Sequence, residues 1–296
     1  MKIAVSSDLH LDLNHAKVAE IITQQAHYLT RQEIDHYFFV GDAFNDFAQT
    51  SVYFAELQSQ LPITKVHYLA GNHDMLEGVT YEQLENLDDD LYFHNRFIDI
   101  PQTNWRIIGN NGWYDYSFST YESNVKGVAK WKRAYWVDRP IMQPMNDPER
   151  MAIVLHQVEE NLKQARNQQK QVIFMTHFAP IREALPHPII ESARRQRMWE
   201  MTTAMLGSRH LGALLAKFPE VKAVFYGHLH YAQSLITVGN IEYRNQAVGV
   251  RRKNSENWKG KSLLDQWISC LYTKKILKKS SFFKKIRKNT CNEVGN

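Results

Sequence analysis

Ile3-Ala4-Val5-Ser6-Ser7-Asp8-Leu9-His10 opens the chain with a short apolar run that ends on a carboxylate and an imidazole. The same form recurs four times. Tyr37-Phe38-Phe39-Val40 ends at Gly41-Asp42, and Val66-His67-Tyr68-Leu69 ends at Gly71-Asn72-His73-Asp74. Val172-Ile173-Phe174-Met175 ends at Thr176-His177, and the apolar run 221–226 ends at Gly227-His228-Leu229-His230. Runs this short and this continuously apolar read as strands buried on both faces. Stretches of helical period separate the first three: one carries Val18, Ile21, Ile22, Ala26 and Leu29 on a stripe, the other covers about 46–60. Strand–helix–strand alternation of this kind predicts an α/β fold with a parallel sheet covered by helices.

Outward from these runs the pattern is less regular. Residues 90–146 are rich in aromatics, among them Trp105, Trp113, Tyr114, Tyr116, Trp131 and Trp136. Asn146-Asp147-Pro148 has the signature of a helix start, with Val154, Val158, Leu162 and Ala165 on the stripe that follows. Ser208 is placed to cap a helix through Phe218, and Gly239-Asn240 separates strands expected at about 232–238 and 241–248. From residue 261 strand alternation stops and lysine pairs begin. The sequence therefore predicts a catalytic domain over 1–260 and a basic C-terminal tail over 261–296.

In an open α/β sheet, the loops after the carboxyl ends of the strands meet at one edge, where ligands bind. The five polar clusters would be delivered there together. Their donors are carboxylate, imidazole and amide without thiolate, which excludes a structural cysteine–zinc site and suits catalytic Zn, Mn or Fe. Gly41, Gly71 and Gly227 stand where a strand turns and the backbone passes close to the site. Each cluster alone is also an ordinary loop. It is their joint occurrence, each after a strand, that points to a metal site.

The ordered series Asp8-Leu9-His10, Gly41-Asp42, Gly71-Asn72-His73-Asp74, His177 and Gly227-His228-Leu229-His230 resembles the calcineurin-like metallophosphoesterases over roughly 1–250. That resemblance implies a β-sandwich flanked by helices, which adds the later strands as a second sheet. It implies two divalent metals, one held by Asp8, His10 and His230, the other by Asn72, His177 and His228, with Asp42 bridging. Two such cations lower the pKa of water from 15.7 towards ~7 and neutralise charge building on a phosphoryl group. His73, the imidazole left over, is placed to protonate the leaving oxygen, with Asp74 expected to orient it.

The substrate is less legible. Protein phosphatases of this superfamily carry an arginine in the motif occupied here by Gly41-Asp42-Ala43-Phe44-Asn45-Asp46, and this chain lacks it. The Asp74 variant resembles the phosphodiesterase and nuclease branches, so a small phosphodiester is the expected substrate. The alternatives are a nuclease acting with a partner chain and a non-catalytic scaffold of the same fold. The second is disfavoured because all seven ligand positions are kept. Substrate-shaping segments are nominated at 109–116 and at 179–207, where Arg194, Arg195 and Arg197 lie.

Charge is divided unevenly. Of 36 Lys+Arg and 31 Asp+Glu, residues 251–296 hold 13 and 3, a net of +10, so residues 1–250 hold 23 and 28, a net of −5. The acidic body weighs against a nucleic-acid partner. The tail mixes bulky apolar residues with lysines over 261–288, which suggests a peripheral contact with an anionic membrane. Both cysteines, Cys270 and Cys291, fall in this tail, so no disulfide framework is expected. Met1–Val5 is too short for a secretory signal, and no apolar stretch approaches the ~20 residues of a spanning helix. These features predict a cytoplasmic protein.

Overall fold

The computed structural model describes residues 1–252 and 257–277. The first half alternates as expected: β1 (Lys2–Ser6), α1 (Val18–Arg31), β2 (His36–Val40), α2 (Phe47–Ser59) and β3 (Lys65–Leu69). A short helix α3 (Tyr81–Glu85) and the pair β4 (Arg96–Asp99) and β5 (Trp105–Gly109) follow. Then come α4 (Val125–Tyr135), α5 (Asp147–Asn167), β6 (Gln171–Met175), α6 (Ala193–Thr203), α7 (Arg209–Ala216) and β7 (Val221–Tyr226). The chain continues through β8 (Ile236–Val238), β9 (Ile241–Asn245), α8 (Leu263–Cys270) and β10 (Tyr272–Lys275).

Helix boundaries follow the side chains. Asn146 accepts from the Glu149 amide while the Glu149 side chain returns to the Asn146 amide, with Pro148 in the first turn of α5. Ser208 caps α7 through the amides of His210 and Leu211.

The strands form two sheets, β10-β1-β2-β3 and β4-β5-β6-β7-β9-β8. The sheets face each other across an apolar layer that includes Ile3, Val5, Phe38, Val40, Ile107, Ile173, Met175 and Phe225. The opposite faces pack on helices, through Ala4, Tyr37, Phe39 and Phe174 among others. Alternate residues of each strand thus serve two cores, which is why the strands read as unbroken apolar runs. The fold is the helix-flanked sandwich implied by the motif series.

The expected boundary at 260 does not hold for the described part of the tail. Trp267 is fully buried, edge-to-face with Tyr28 and Tyr37 at centroid distances of 5.4 and 6.0 Å. Its indole N–H donates to Ser6 Oγ at 3.1 Å and to the Tyr37 hydroxyl at 3.2 Å. β10 pairs antiparallel with β1, and Ile276 enters the layer between the sheets. Residues 261–277 are therefore an integral edge of the first sheet. Lys274 and Lys275 occupy an edge strand, where lysines discourage further pairing, and this disguised the strand as tail. The remaining basic residues, from Lys278 to Lys288, and Cys291 lie outside the described residues. Cys270 is buried and free. Among the described residues no helix is long and apolar enough to cross a membrane.

Candidate metal centre

β1, β2, β3, β6 and β7 deliver their polar ends to one edge of the sandwich. The loop after β1 runs on beside the loop after β2: Asp8 N–H donates to Gly41 O at 2.9 Å and His10 N–H to Asp42 O at 3.1 Å. Five of the delivered side chains sit on left-handed backbone, namely Asp8, His10, Asp42, His228 and His230, with φ from 42° to 69°. Such conformations cost about 1–3 kcal/mol each and persist only where surrounding structure holds them. Asp and His tolerate them better than most residues. The effect is to turn consecutive polar side chains inward from the strand ends.

Two groups of donor atoms result. His10, Asp42, His73 and His230 present atoms within 4.8 Å of one another, and so do Asp42, His177 and His228. Asp42 Oδ2 belongs to both: it lies 3.7 Å from Nε2 of His10 and of His230, and 3.3 Å from Nε2 of His177. Asp8 Oδ1 lies 3.9 Å from Nε2 of both His10 and His230. Asn72 Oδ1 faces the other group, 3.2 Å from His177 Nε2 and 2.8 Å from His228 Nδ1.

The outer ring nitrogens of His177 and His228 are anchored. His177 Nδ1–H donates to Val40 O at 2.8 Å and His228 Nε2–H to Met205 O at 3.1 Å, which leaves the inner nitrogens with free lone pairs. The inner atoms Asp8 Oδ1, Asp42 Oδ2 and His10 Nε2 are buried without a hydrogen-bond partner among the described residues. Buried polar atoms are almost always paired, so orphans converging on one point fit a cation. The donor set of carboxylate, imidazole and amide oxygen suits a divalent transition metal.

Electrostatics agree with that fit. Burial, reinforced by the neighbouring imidazoles, holds His10 and His228 well below the usual histidine range, in the neutral form that ligates. Burial pushes the Asp42 carboxyl up, but His177 and His73 outweigh it and hold it well below the usual range. Burial raises Asp8, opposed by His177 and reinforced by Asp42. His177 is lowered by burial, yet Asp42 and Asp8 more than reverse this and bring it to about 9.

Glycine is required beside these groups. A Cβ on Gly71 would overlap the Asp42 carboxylate and the His177 ring, and one on Gly227 would overlap the Asp8 carboxylate.

The calcineurin-like phosphoesterase family model matches residues 1–232. The chain belongs to that family. Among solved structures, phosphopantetheinyl hydrolase from Mycobacterium tuberculosis is similar at 17% identity and a TM-score of 0.60, covering 87% of this chain and 94% of its own. A dimetal phosphatase from Danio rerio is similar at 14% identity and a TM-score of 0.54, covering 83% and 86%. At these identities the likeness shows the fold. A search of curated sequences finds no match.

Two expectations about this phosphoesterase's site need correction. Asp74 does not orient His73. Its carboxylate accepts from the backbone N–H of Asp42, Ala43, Phe44 and Gly71 at 2.7–3.1 Å, and from Thr50 Oγ1 at 2.6 Å. It staples the loop after β2 to the loop after β3. Burial and the nearby Asp42 raise its pKa to about 6 against those donors. The partner of His73 is Asn45, whose Oδ1 lies 2.6 Å from His73 Nδ1. Asn45 stands three residues past Asp42 with no spacing signal to single it out.

Of the two segments nominated to shape the substrate site, 179–207 reaches the mouth through Pro186 and Trp199, whereas 109–116 does not. Trp113, Tyr114 and Tyr116 are fully buried, with Trp113 and Tyr116 bonded to Asp147 beneath the loop, so they support the site and do not face substrate. Arg194, Arg195 and Arg197 are exposed on α6. The mouth over the donor atoms is a cavity of about 390 Å³ lined by Asn72, His73, His228 and His230 together with Trp136, Pro186, Trp199, Tyr231 and Arg252. Aromatic residues of this chain are common enough that only the fold distinguishes these three from the core set.

Proposed function

We propose that the chain hydrolyses a small phosphodiester with two divalent cations, one held by Asp8, His10, His230 and Asp42, the other by Asn72, His177, His228 and Asp42. The observation that carries the proposal is the Asp42 Oδ2 atom, buried, unpaired and within 3.7 Å of inner nitrogens from both donor groups. Cations bound there would polarise phosphoryl oxygens and acidify water. The protein's own contribution is positional. His177 and His228 are fixed by backbone carbonyls. Asn72 turns its carbonyl oxygen inward. His73 is oriented through Nδ1 by Asn45, and in its doubly protonated form Nε2–H would supply the proton taken by a leaving oxygen.

A diester is favoured by the mouth, where Trp136, Pro186, Trp199 and Tyr231 offer apolar surface to a second substituent and Arg252 supplies one cation. The position at which protein phosphatases carry an arginine is filled by Asp46, which caps α2. The experiment is a panel with Mn²⁺-loaded protein: bis-p-nitrophenyl phosphate, p-nitrophenyl phosphate, 2′,3′-cyclic AMP and single-stranded DNA, each with wild type and Asp42→Asn. The expected result is turnover of diesters above the monoester, lost in Asp42→Asn. Preference for the monoester would overturn the diester assignment, and preference for DNA would favour the nuclease reading.

A further inference from the structure

Beside the donor atoms lies a carboxylate that no motif marks. Asp138, fully buried in the turn between α4 and α5, accepts from Asn72 Nδ2 at 2.7 Å on Oδ1 and from the Trp136 indole N–H at 3.0 Å on Oδ2. A carboxylate only accepts, so the amide nitrogen of Asn72 must face Asp138 and its oxygen must face His177 and His228. An amide alone has two nearly isosteric orientations, one of which would aim N–H donors at the metal position. We propose that Asp138 is the positioning residue of Asn72, selecting the ligating orientation of its amide, and that through Trp136 it ties the wall of the mouth to that ligand. The proposal rests on the metal assignment above.

Two features set it apart from ordinary packing. Both oxygens of Asp138 are matched to donors, one from a site residue and one from a cavity-lining residue. And the turn that carries Asp138 is 66 residues from Asn72 in sequence, so the contact is made by the fold and not by local geometry. Partners of metal ligands typically alter affinity by about 10–100-fold when removed.

The test is calorimetric titration of metal-stripped protein with Mn²⁺, the fold of each variant being confirmed by circular dichroism. Asn72→Ala should lose one of two binding steps. Asp138→Ala should weaken that same step by about 10–100-fold and leave the other in place. Asp138→Asn should also weaken it, because the two donors sit on different oxygens and the NH2 group that replaces one of them would face a donor. Removing the competing donor, as in Asp138→Asn with Trp136→Phe, should restore affinity by about two- to tenfold, the worth of one hydrogen bond. A role in packing alone would make the double variant worse than the single. If Asn72→Ala loses a step while the Asp138 variants bind as wild type, the positioning role is wrong. If wild type takes up no Mn²⁺, or Asn72→Ala binds as wild type, the metal assignment fails. Should Asp138→Ala not fold, the Asp138→Asn pair carries the decision.

Discussion

Replacing Trp267 with alanine tests whether the C-terminal segment belongs to the folded body. The side chain is fully buried between α1 and the first sheet, with Tyr28 and Tyr37 on its edges. A buried tryptophan removes roughly 150–250 Å² from water, worth about 4–6 kcal/mol at ~25 cal/mol per Å², an upper figure because unfolded chains are not fully extended. Measured Trp→Ala losses in cores run to about 3–5 kcal/mol. The polar penalty is small, because Ser6 Oγ and the Tyr37 hydroxyl remain 2.8 Å apart and pair with each other. The expected loss is about 4 kcal/mol. For a chain of this size, one kcal/mol moves Tm by about 2–4 °C, so Trp267→Ala should melt about 8–16 °C lower by differential scanning fluorimetry. Truncation at 260 should be worse, since it also strips β10 from β1. A Tm within 2 °C of wild type for either protein would refute the integral role of residues 261–277.

His73→Ala should retain metal while kcat falls by roughly 10²–10⁴-fold, the usual worth of a general acid; the loss should shrink with a nitrophenolate leaving group, and an equal loss for good and poor leaving groups would leave His73 with a positioning role only. Acid should destabilise the fold through His36 and His67, whose rings pair at 2.9 Å at the far end of β2 and β3. Burial, then Lys65, lowers His36 to about 4, and burial, then His36, lowers His67 to about 3. Unfolded histidines titrate near 6.5, so between about pH 6.5 and 4 the unfolded state binds more protons, and stability is lost as the pH drops through that window. At pH 5 the loss reaches up to about 2 kcal/mol for each histidine, and Tm at pH 7 minus Tm at pH 5 should be smaller in His67→Gln than in wild type. Membrane contact through the basic C-terminus is testable with truncation at 277, which spares β10: the full chain should sediment with anionic vesicles more than the truncated one. Equal sedimentation, or sedimentation of the full chain with neutral vesicles, would exclude it.

The legible part of the molecule is the part where chemistry and periodicity coincide. Strands buried on both faces must be apolar throughout, and a polar ligand at their ends is abrupt, so Asp8, Asp42, Asn72, His177 and His228 stand out. What could not be read has a physical reason in each case. The left-handed backbone at Asp8, His10 and His230 is imposed by neighbouring loops, and Asp and His have no sequence mark for it. Asn45 takes the part expected of Asp74 because adjacency in sequence says little about direction on a tight loop. Trp136, Trp199 and Tyr231 line the mouth while Trp113, Tyr114 and Tyr116 are core, and residue type alone does not separate the two aromatic sets. β10 pairs through its backbone, which Lys274 and Lys275 conceal.

The most direct test of the central claim is to strip the protein with chelator and titrate Mn²⁺ back while following both bound metal and hydrolysis of bis-p-nitrophenyl phosphate. Two equivalents should bind, and the rate should track occupancy of the second, because Asp42 joins the two donor groups. Full activity in the metal-free protein, or saturation of both binding and rate at a single equivalent, would contradict it.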